Sequence, residues 1–320
     1  MNDLQASATG KLLISILVPV FNEAENLPLL YQRVCAVTDQ LADTYDFEFV
    51  FTDNHSTDAS FSVLEKLAAG DKRIRVFRFS KNFGFQRSIM TGYLKTRGDA
   101  AIQIDCDLQD PPELFAAFLE KFDAGYDVVY GVRASRQEGF FINGMRAAFY
   151  RIIDALAEDK LPHNAGDFRL VSRRVIEAMK QIDDYHPYIR GMIAALGFKQ
   201  TGIPYDRAKR EKGISKFSFR QLMSLAVDGI LSHSIIPLRV ASLTALAMSF
   251  ITFAGIVFYM IGNFVFGQAW PAGFATTTVL LLLSITLNAL FLGVIGEYLG
   301  RIFQQVKKRP ITVIETVINE

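Results

Sequence analysis

Residues 100–112 read AAIQIDCDLQDPP, and the order of these residues decides how the fold is read. An uncharged, mostly apolar run, Ala100–Ile104, has the makings of a short buried strand. Asp105 and Asp107 follow it, two positions apart, so in an extended chain both carboxylates point to one side. Gln109, two further on, adds an amide oxygen, and Pro111 and Pro112 stop the loop and start a helix. Oxygen donors at this spacing suit a hard divalent cation such as Mg²⁺, which takes one or two carboxylates and completes its shell with substrate phosphates. Most D-x-D strings are acidic turns beside a helix cap, so the pattern takes its meaning from the strand before it and from its companions.

Working outward, apolar runs at Leu13–Val20, Phe47–Thr52, Ile74–Phe79 and Asp127–Val132 alternate with amphipathic segments at Leu27–Leu41, Phe85–Lys95 and Leu114–Phe122. This alternation predicts an α/β fold, a mostly parallel sheet with helices on both faces. Binding groups in such sheets collect in the loops after the strands' carboxyl ends. Three more loops of that kind carry polar residues. ILVPVFNEAENL (16–27) puts Asn22 and Glu23 at the sheet's mouth, although Asn22 can equally cap a helix with Glu25 at the third position. In FTDNHSTD (51–58), Asp53 can accept a hydrogen bond from the N–H of a uracil or guanine, or form an Asx-turn before a helix near Asp58. SKNFGF (80–85) offers Lys81, Asn82 and Gly84, either as a ligand loop or as a plain turn. From Gln137 to Pro204 the pattern turns helical and irregular.

Half the residues are hydrophobic, unevenly spread: charges run as far as Arg239, then none appears before Glu297. That stretch fits two spans of about 20 residues each, Val240–Ile261 and Thr276–Ile295. Positive residues on both outer flanks predict a cytoplasmic large domain and tail at the inner membrane. The expected division is a catalytic domain over 1–216, an interfacial segment over 217–237, two transmembrane helices within 238–300, and a tail over 301–320. Asn288, polar within the second span, is expected to bond a neighbouring helix, in this chain or in a homo-oligomer. The N-terminus lacks an apolar core, so no signal peptide is expected. Cys35 and Cys106 form no framework, which fits a reducing compartment. A net charge of +1 gives no case for nucleic acid.

Basic residues form a second constellation: Arg133 and Arg136 in GVRASR, Arg169 in GDFRL, then Arg207, Arg210, Ser215 and Lys216. A guanidinium donates in pairs to phosphate, and Ser215-Lys216 after Gly213 is placed to close over one. The bland alternative for 207–220 is a juxtamembrane stretch attracted to anionic lipid.

VPVFNE, TDNHSTD, SKNFGF and DCDLQDPP together resemble the family 2 glycosyltransferases of the GT-A fold. The resemblance is to the branch that holds dolichol-phosphate mannose synthase and the bacterial polyprenyl-phosphate enzymes. DLQDPP followed by GVR-x-x-R, GDFRL and G-x-SKF, then two spans, is most similar to the bactoprenol (undecaprenyl-phosphate) glucosyltransferases, over essentially the whole chain. The resemblance implies metal-dependent, inverting transfer of a hexose to a polyprenyl phosphate, with Mg²⁺ or Mn²⁺. It assigns Pro19, Asn22, Glu23 and Asp53 to the nucleotide, with Lys81 on the same side. It places Asp105 by the nucleotide-sugar, Asp107 and Gln109 on the metal, and the basic residues on phosphates. UDP-glucose is the expected donor; GDP-mannose and a modified arabinose donor are the alternatives. One departure stands out, since many relatives have DDGS where this chain has Asp53-Asn54-His55-Ser56, placing His55 at a turn glycine.

A phosphate acceptor, with a second pKa near 6, is already largely dianionic at neutral pH and needs no base to activate it. Asp167 is then either a base or the group that orients Arg169. Two rival readings are weaker. A processive synthase should carry Q-x-x-R-W and more spans, whereas the one tryptophan, Trp270, falls in the turn between spans. A non-catalytic scaffold gives no reason to retain Asp53, Asp105, Asp107 and Gln109 together.

Overall fold

A computed structural model describes residues 10–133, 165–185, 187–206, 236–264, 273–307 and 309–320. Strand β1 (Leu12–Val20) is buried over its last seven residues, as a strand covered on both faces must be. It pairs in parallel with β2 (Tyr45–Asp53) and with β4 (Ala100–Gln103), and β2 pairs in parallel with β3 (Ile74–Phe79). Helices α1 (Leu27–Leu41), α2 (Ser60–Gly70) and α3 (Phe85–Lys95) make the crossovers. The approach of α3 to the sheet requires a glycine: a Cβ on Gly92 would lie 2.1 Å from Leu17 Cδ1. Within this parallel core a buried polar cluster ties three strands. Glu48 on β2 accepts from Ser15 Oγ at 2.6 Å, from Arg75 at 3.1 Å and from the Arg97 amide at 2.6 Å.

Beyond β4 the sheet changes character. After α4 (Phe115–Asp123) come β5 (Val128–Arg133), β6 (Ala165–Ser172), α5 (Arg173–Lys180), α6 (Ile189–Ala195) and β7 (Gln200–Tyr205). Strand β6 inserts antiparallel between β4 and β5, and β7 runs parallel to β5. The full order is β7-β5-β6-β4-β1-β2-β3-β8, a mixed eight-stranded sheet with a parallel centre. Two of these strands fall where the sequence pattern looked helical and irregular. β6 (AGDFRLVS) carries Asp167 and Arg169 in its middle, which breaks the apolar signal, and β7 (QTGIPY) holds both a glycine and a proline.

The last strand, β8 (Ile314–Ile318), pairs antiparallel with β3. Residues 301–320, set apart above as a tail, therefore divide: the first part belongs to a helix and the end belongs to the sheet. The chain forms two compact units, one spanning Met1–Met223 with Pro310–Glu320, the other Ser224–Arg309. The second unit contains two long helices, α7 (Ile236–Phe264) and α8 (Phe274–Val306). Large apolar side chains stand exposed along both, among them Leu246, Phe250, Leu292 and Leu299. Within α8, Leu283–Gly300 is long and apolar enough to cross a membrane. Polar side chains in these helices bond within their own helix: Ser242 to the Leu238 carbonyl at 3.0 Å and Thr244 to that of Val240 at 2.8 Å. Asn288 does the same, donating to the Ser284 carbonyl at 2.9 Å.

Candidate active site

The carboxyl ends of β1 to β4 place the four polar loops side by side, and hydrogen bonds between loops fix their spacing. Asn22 adopts a left-handed backbone with φ +56°, a conformation that asparagine tolerates better than most residues. Its Oδ1 accepts from the Thr57 amide at 2.8 Å, and its own amide donates to Ser56 Oγ at 3.0 Å. Asn22 thus ties the β1 loop to the β2 loop and does not cap α1, whose N-cap is Asn26. The Glu23 amide donates to Ser60 Oγ at 2.8 Å, and its carboxylate accepts from Asn26 at 2.6 Å. Pro19 is buried in β1 opposite Thr52.

Asp53, at the end of β2, is fully buried. Its Oδ1 accepts from the Ser56 amide at 3.1 Å, three residues on where an Asx-turn would bond two, while its Oδ2 has no hydrogen-bond partner. The next residue, Asn54, accepts from the Phe83 amide at 2.8 Å and donates to Asn82 Oδ1 at 2.9 Å, tying the β2 loop to the β3 loop. Asn54 was not singled out in the sequence, where it looked like a changed letter in a motif. His55 takes φ +61°, so the loop keeps the left-handed turn a glycine would make, with a side chain in place. Lys81 is exposed, its ammonium 5.1 Å from the Phe83 ring centre.

On the other side of β1, the acidic loop leaves β4. The fully buried Gln103 donates to Asp105 Oδ1 at 2.9 Å and so orients that carboxylate. Asp107 is largely buried and accepts from the Gln109 amide at 3.2 Å, around a left-handed Leu108. Asp105, Asp107 and the Gln109 amide oxygen offer oxygen donors alone, the set a hard divalent cation takes and a soft one does not. Asp110, buried just beyond, receives the hydroxyl of Tyr205 from β7, which pins the loop's far end. Its signal in the sequence was the second aspartate of DLQD, easily read as part of the turn.

Charged partners gather on the neighbouring antiparallel strand. Asp167 forms a two-pronged pair with Arg190, at 2.9 and 3.0 Å. Burial alone would raise the Asp167 carboxyl; Arg190, helped by Arg169 and Arg133, more than offsets this and holds it below the usual carboxylate range. A carboxylate held in that way makes a poor proton acceptor and a good anchor. Its partner is Arg190 on α6 rather than Arg169, which is buried and donates to the Gly166 carbonyl at 2.7 Å. Arg133 lies directly over Gly166, where a Cβ would come within 3.0 Å of its guanidinium. Arg190 escaped the sequence reading because YIRGMIAA looks like packing with one stray charge. Arg136, Arg207, Arg210, Ser215 and Lys216 lie outside the described residues.

Known proteins match this chain over most of its length. The model of "Glycosyl transferase family 2" matches residues 15–179, which begins in β1 and ends in α5. An "Uncharacterized glycosyltransferase YkcC" of Bacillus subtilis is 38% identical over 302 residues, covering 94% of this chain and 93% of that protein. The "Bactoprenol glucosyl transferase" of Shigella phage SfII is 36% identical over 303 residues, covering 94% and 97%. Among solved structures, mannosyltransferase PcManGT from Pyrobaculum calidifontis in complex with GDP-Man and Mn²⁺ overlaps 93% of this chain and 87% of its own, with 16% identity and a TM-score of 0.48. The strands and polar loops that build the site fall within the matched family region or within reach of these full-length relatives. On that evidence this chain is a glycosyltransferase and belongs to glycosyl transferase family 2.

Proposed function

We propose that the protein transfers glucose from UDP-glucose to a polyprenyl phosphate such as undecaprenyl phosphate, with inversion, at the cytoplasmic face of the membrane. The observation that carries this reading is the pairing, across one sheet mouth, of an all-oxygen acidic loop with a buried Asp53 whose Oδ2 has no hydrogen-bond partner and lies 3.6 Å from Arg78 Nε. The first suits a diphosphate and its cation; the second suits a base N–H. Relatives named as bactoprenol glucosyl transferases support the sugar and the acceptor.

In the proposed step, an oxygen of the lipid phosphate attacks the anomeric carbon while the bond from that carbon to the nucleoside diphosphate breaks. The electron pair leaves with the diphosphate, and no proton need be taken from the dianionic acceptor. A divalent cation held by Asp105, Asp107 and Gln109 would supply charge stabilisation at the leaving diphosphate. Asp167 serves as a positioning residue: it holds Arg190 in place, and Arg190, Arg169 and Arg133 supply positive charge for the phosphates. Arg136 and the 207–216 segment are proposed to add acceptor contacts.

The long apolar stretch Leu283–Gly300 supports placement at a membrane. The chain leaves the sheet unit at Met223 and rejoins it at Pro310. Helices α7 and α8 are proposed as a pair of crossings, so that the sheet unit stays on one side; Leu283–Gly300 in α8 supports at least one of them. A polyprenyl chain leaves the bilayer only at a cost of about 0.8 kcal/mol per exposed CH₂, so the enzyme is brought to its acceptor.

The test is transfer of labelled glucose from UDP-glucose to undecaprenyl phosphate in detergent, with Mg²⁺, with Mn²⁺ and with EDTA, for the wild type and Asp107→Ala. Labelled lipid should form with either metal, vanish with EDTA, and fall by about 10²–10³-fold in the variant. Product from GDP-mannose but not UDP-glucose would correct the sugar and keep the reaction. No product from any nucleotide sugar would overturn the reading.

A further inference from the structure

We infer that β8, the strand made after the two long helices, forms a wall of the nucleotide site, and that Glu315 on it is a positioning residue for Asp53. The inference rests on the proposed reading of Asp53 as the acceptor for a base N–H.

Strand β8 is fastened to the sheet along its length. Val76 pairs with Ile318, Phe77 with Val317, Arg78 with Thr316 and Phe79 with Ile314. The Ser80 amide donates to the Val313 carbonyl at 3.0 Å, and Thr91 and Thr312 share a hydroxyl bond of 2.8 Å. At the far end Asn319 donates to the carbonyls of Ala68 and Ile74, each at 2.9 Å. The register shifts between Arg78 and Phe79, which leaves Glu315 as the extra residue of a β-bulge. Bulges beside functional sites serve to re-aim a side chain. Here the bulge brings the Glu315 carboxylate to 3.9 Å from Arg78 Nε and 3.9 Å from His55 Nδ1.

Arg78 is the link to the site. Its guanidinium stacks on Phe61 at 4.2 Å, and its Nε lies 3.6 Å from Asp53 Oδ2. That distance is too long for a hydrogen bond, and both the Asp53 Oδ2 and the Arg78 Nε are buried without a hydrogen-bond partner. Two carboxylates thus lie within 4 Å of one guanidinium nitrogen, at 3.6 and 3.9 Å. The pull of Glu315 keeps Arg78 from closing onto Asp53, and the buried Oδ2 keeps its hydrogen-bonding capacity for a ligand that reaches it. Without Glu315, Arg78 closes the pair and occupies the acceptor that the base needs.

This makes a distinctive pattern. Direct binding of UDP, GDP and inorganic pyrophosphate, each with Mn²⁺, is measured by calorimetry on the full-length protein in detergent. Glu315→Gln should weaken the nucleoside diphosphate that the wild type prefers by about tenfold, roughly one charge-assisted hydrogen bond, and leave pyrophosphate unchanged. Adding Arg78→Gln should restore most of the loss, because no guanidinium remains to close on Asp53. A merely structural role for the pair predicts the reverse, a double variant weaker than either single one. Glu315→Gln binding as tightly as the wild type, or a double variant without recovery, overturns the inference. A wild type that binds neither nucleotide defeats the reading of Asp53 and this inference with it. Deleting the strand is the poorer test, since it bares the edge of β3.

Discussion

The two ends of the sheet mouth are held together by different chemistry. Across β1, β2 and β3 the loops are stitched by amides: Asn22 to Thr57, Asn54 to Phe83 and Asn82. Across β4 and β6 the fastening is ionic, with Asp167 on Arg190 and the guanidiniums of Arg169 and Arg133 close by. Amide bonds hold one geometry whatever the charge of the ligand, which suits a pocket that reads a neutral base. Paired charges balance one another and can re-partner, which suits the end proposed to take the phosphates. The contrast teaches that the loops are tied to one another by amides at one end and by ion pairs at the other, even though Asp53, Arg78 and Glu315 place charges among the amide-tied loops.

The contrast breaks most visibly at Asp167. Asp167→Asn keeps the size and removes the counter-charge, so Arg190 loses its anchor; transfer should fall about 10²-fold, read as kcat in the lipid assay. Its carboxyl is held low, so it is charged on both sides of neutrality, and the pH–rate profile above pH 5 should keep its shape in the variant. A vanished acid limb would make it a base instead. The same lowered value sets a stability window. The contribution is present above the unfolded carboxyl value of about 4 and is lost as pH falls through the lower folded value. Thermal unfolding from pH 6 to pH 3 should therefore be steeper for the wild type than for the variant.

At the amide end the expected effects are smaller. Asn54→Ala removes one bond given and one received, at a cost of about 1–2 kcal/mol, and the KM for the donor should rise severalfold with little change in kcat. A fall in kcat with unchanged KM would show that the amide end also takes part in the charge movement. Smallest is His55→Gly. A left-handed backbone costs an ordinary residue about 1–2 kcal/mol, and glycine gives back part of that in unfolded-state entropy. Thermal midpoints should agree within a few degrees. A large loss would mean that the imidazole, 3.0 Å from the Phe79 carbonyl, holds the loop.

The same contrast separates what the sequence makes legible from what it hides. The amide end was readable because a buried parallel strand is an unbroken apolar run and its loop begins where the run stops; α1 and α3 fall at the expected residues. Asp53, Asp105 and Asp107 stand out as charges directly after such runs. The ionic end was hard to read for the opposite reason. β6 carries its functional charges inside the strand, and their partner Arg190 is supplied by a helix later in the chain, so no local pattern joins them. Strand β8 was missed because IETVI, with two polar residues among five, follows a basic flank that reads as membrane margin. What decides its place is an edge of β3 far back in the sequence.

That distance has a consequence for biosynthesis. Val76 waits for Ile318, and everything between them, both long helices included, is made first. At about 5–20 residues per second, the nascent chain holds β3 with a bare edge for many seconds while the helices leave the ribosome. A bare edge is a template for wrong pairing, and Arg75 and Arg78 on β3 are the kind of charge that discourages it. Closure of the sheet then waits until both long helices have been made. A product arrested before β8 would lack its edge strand and be marked for disposal by the edge it still shows.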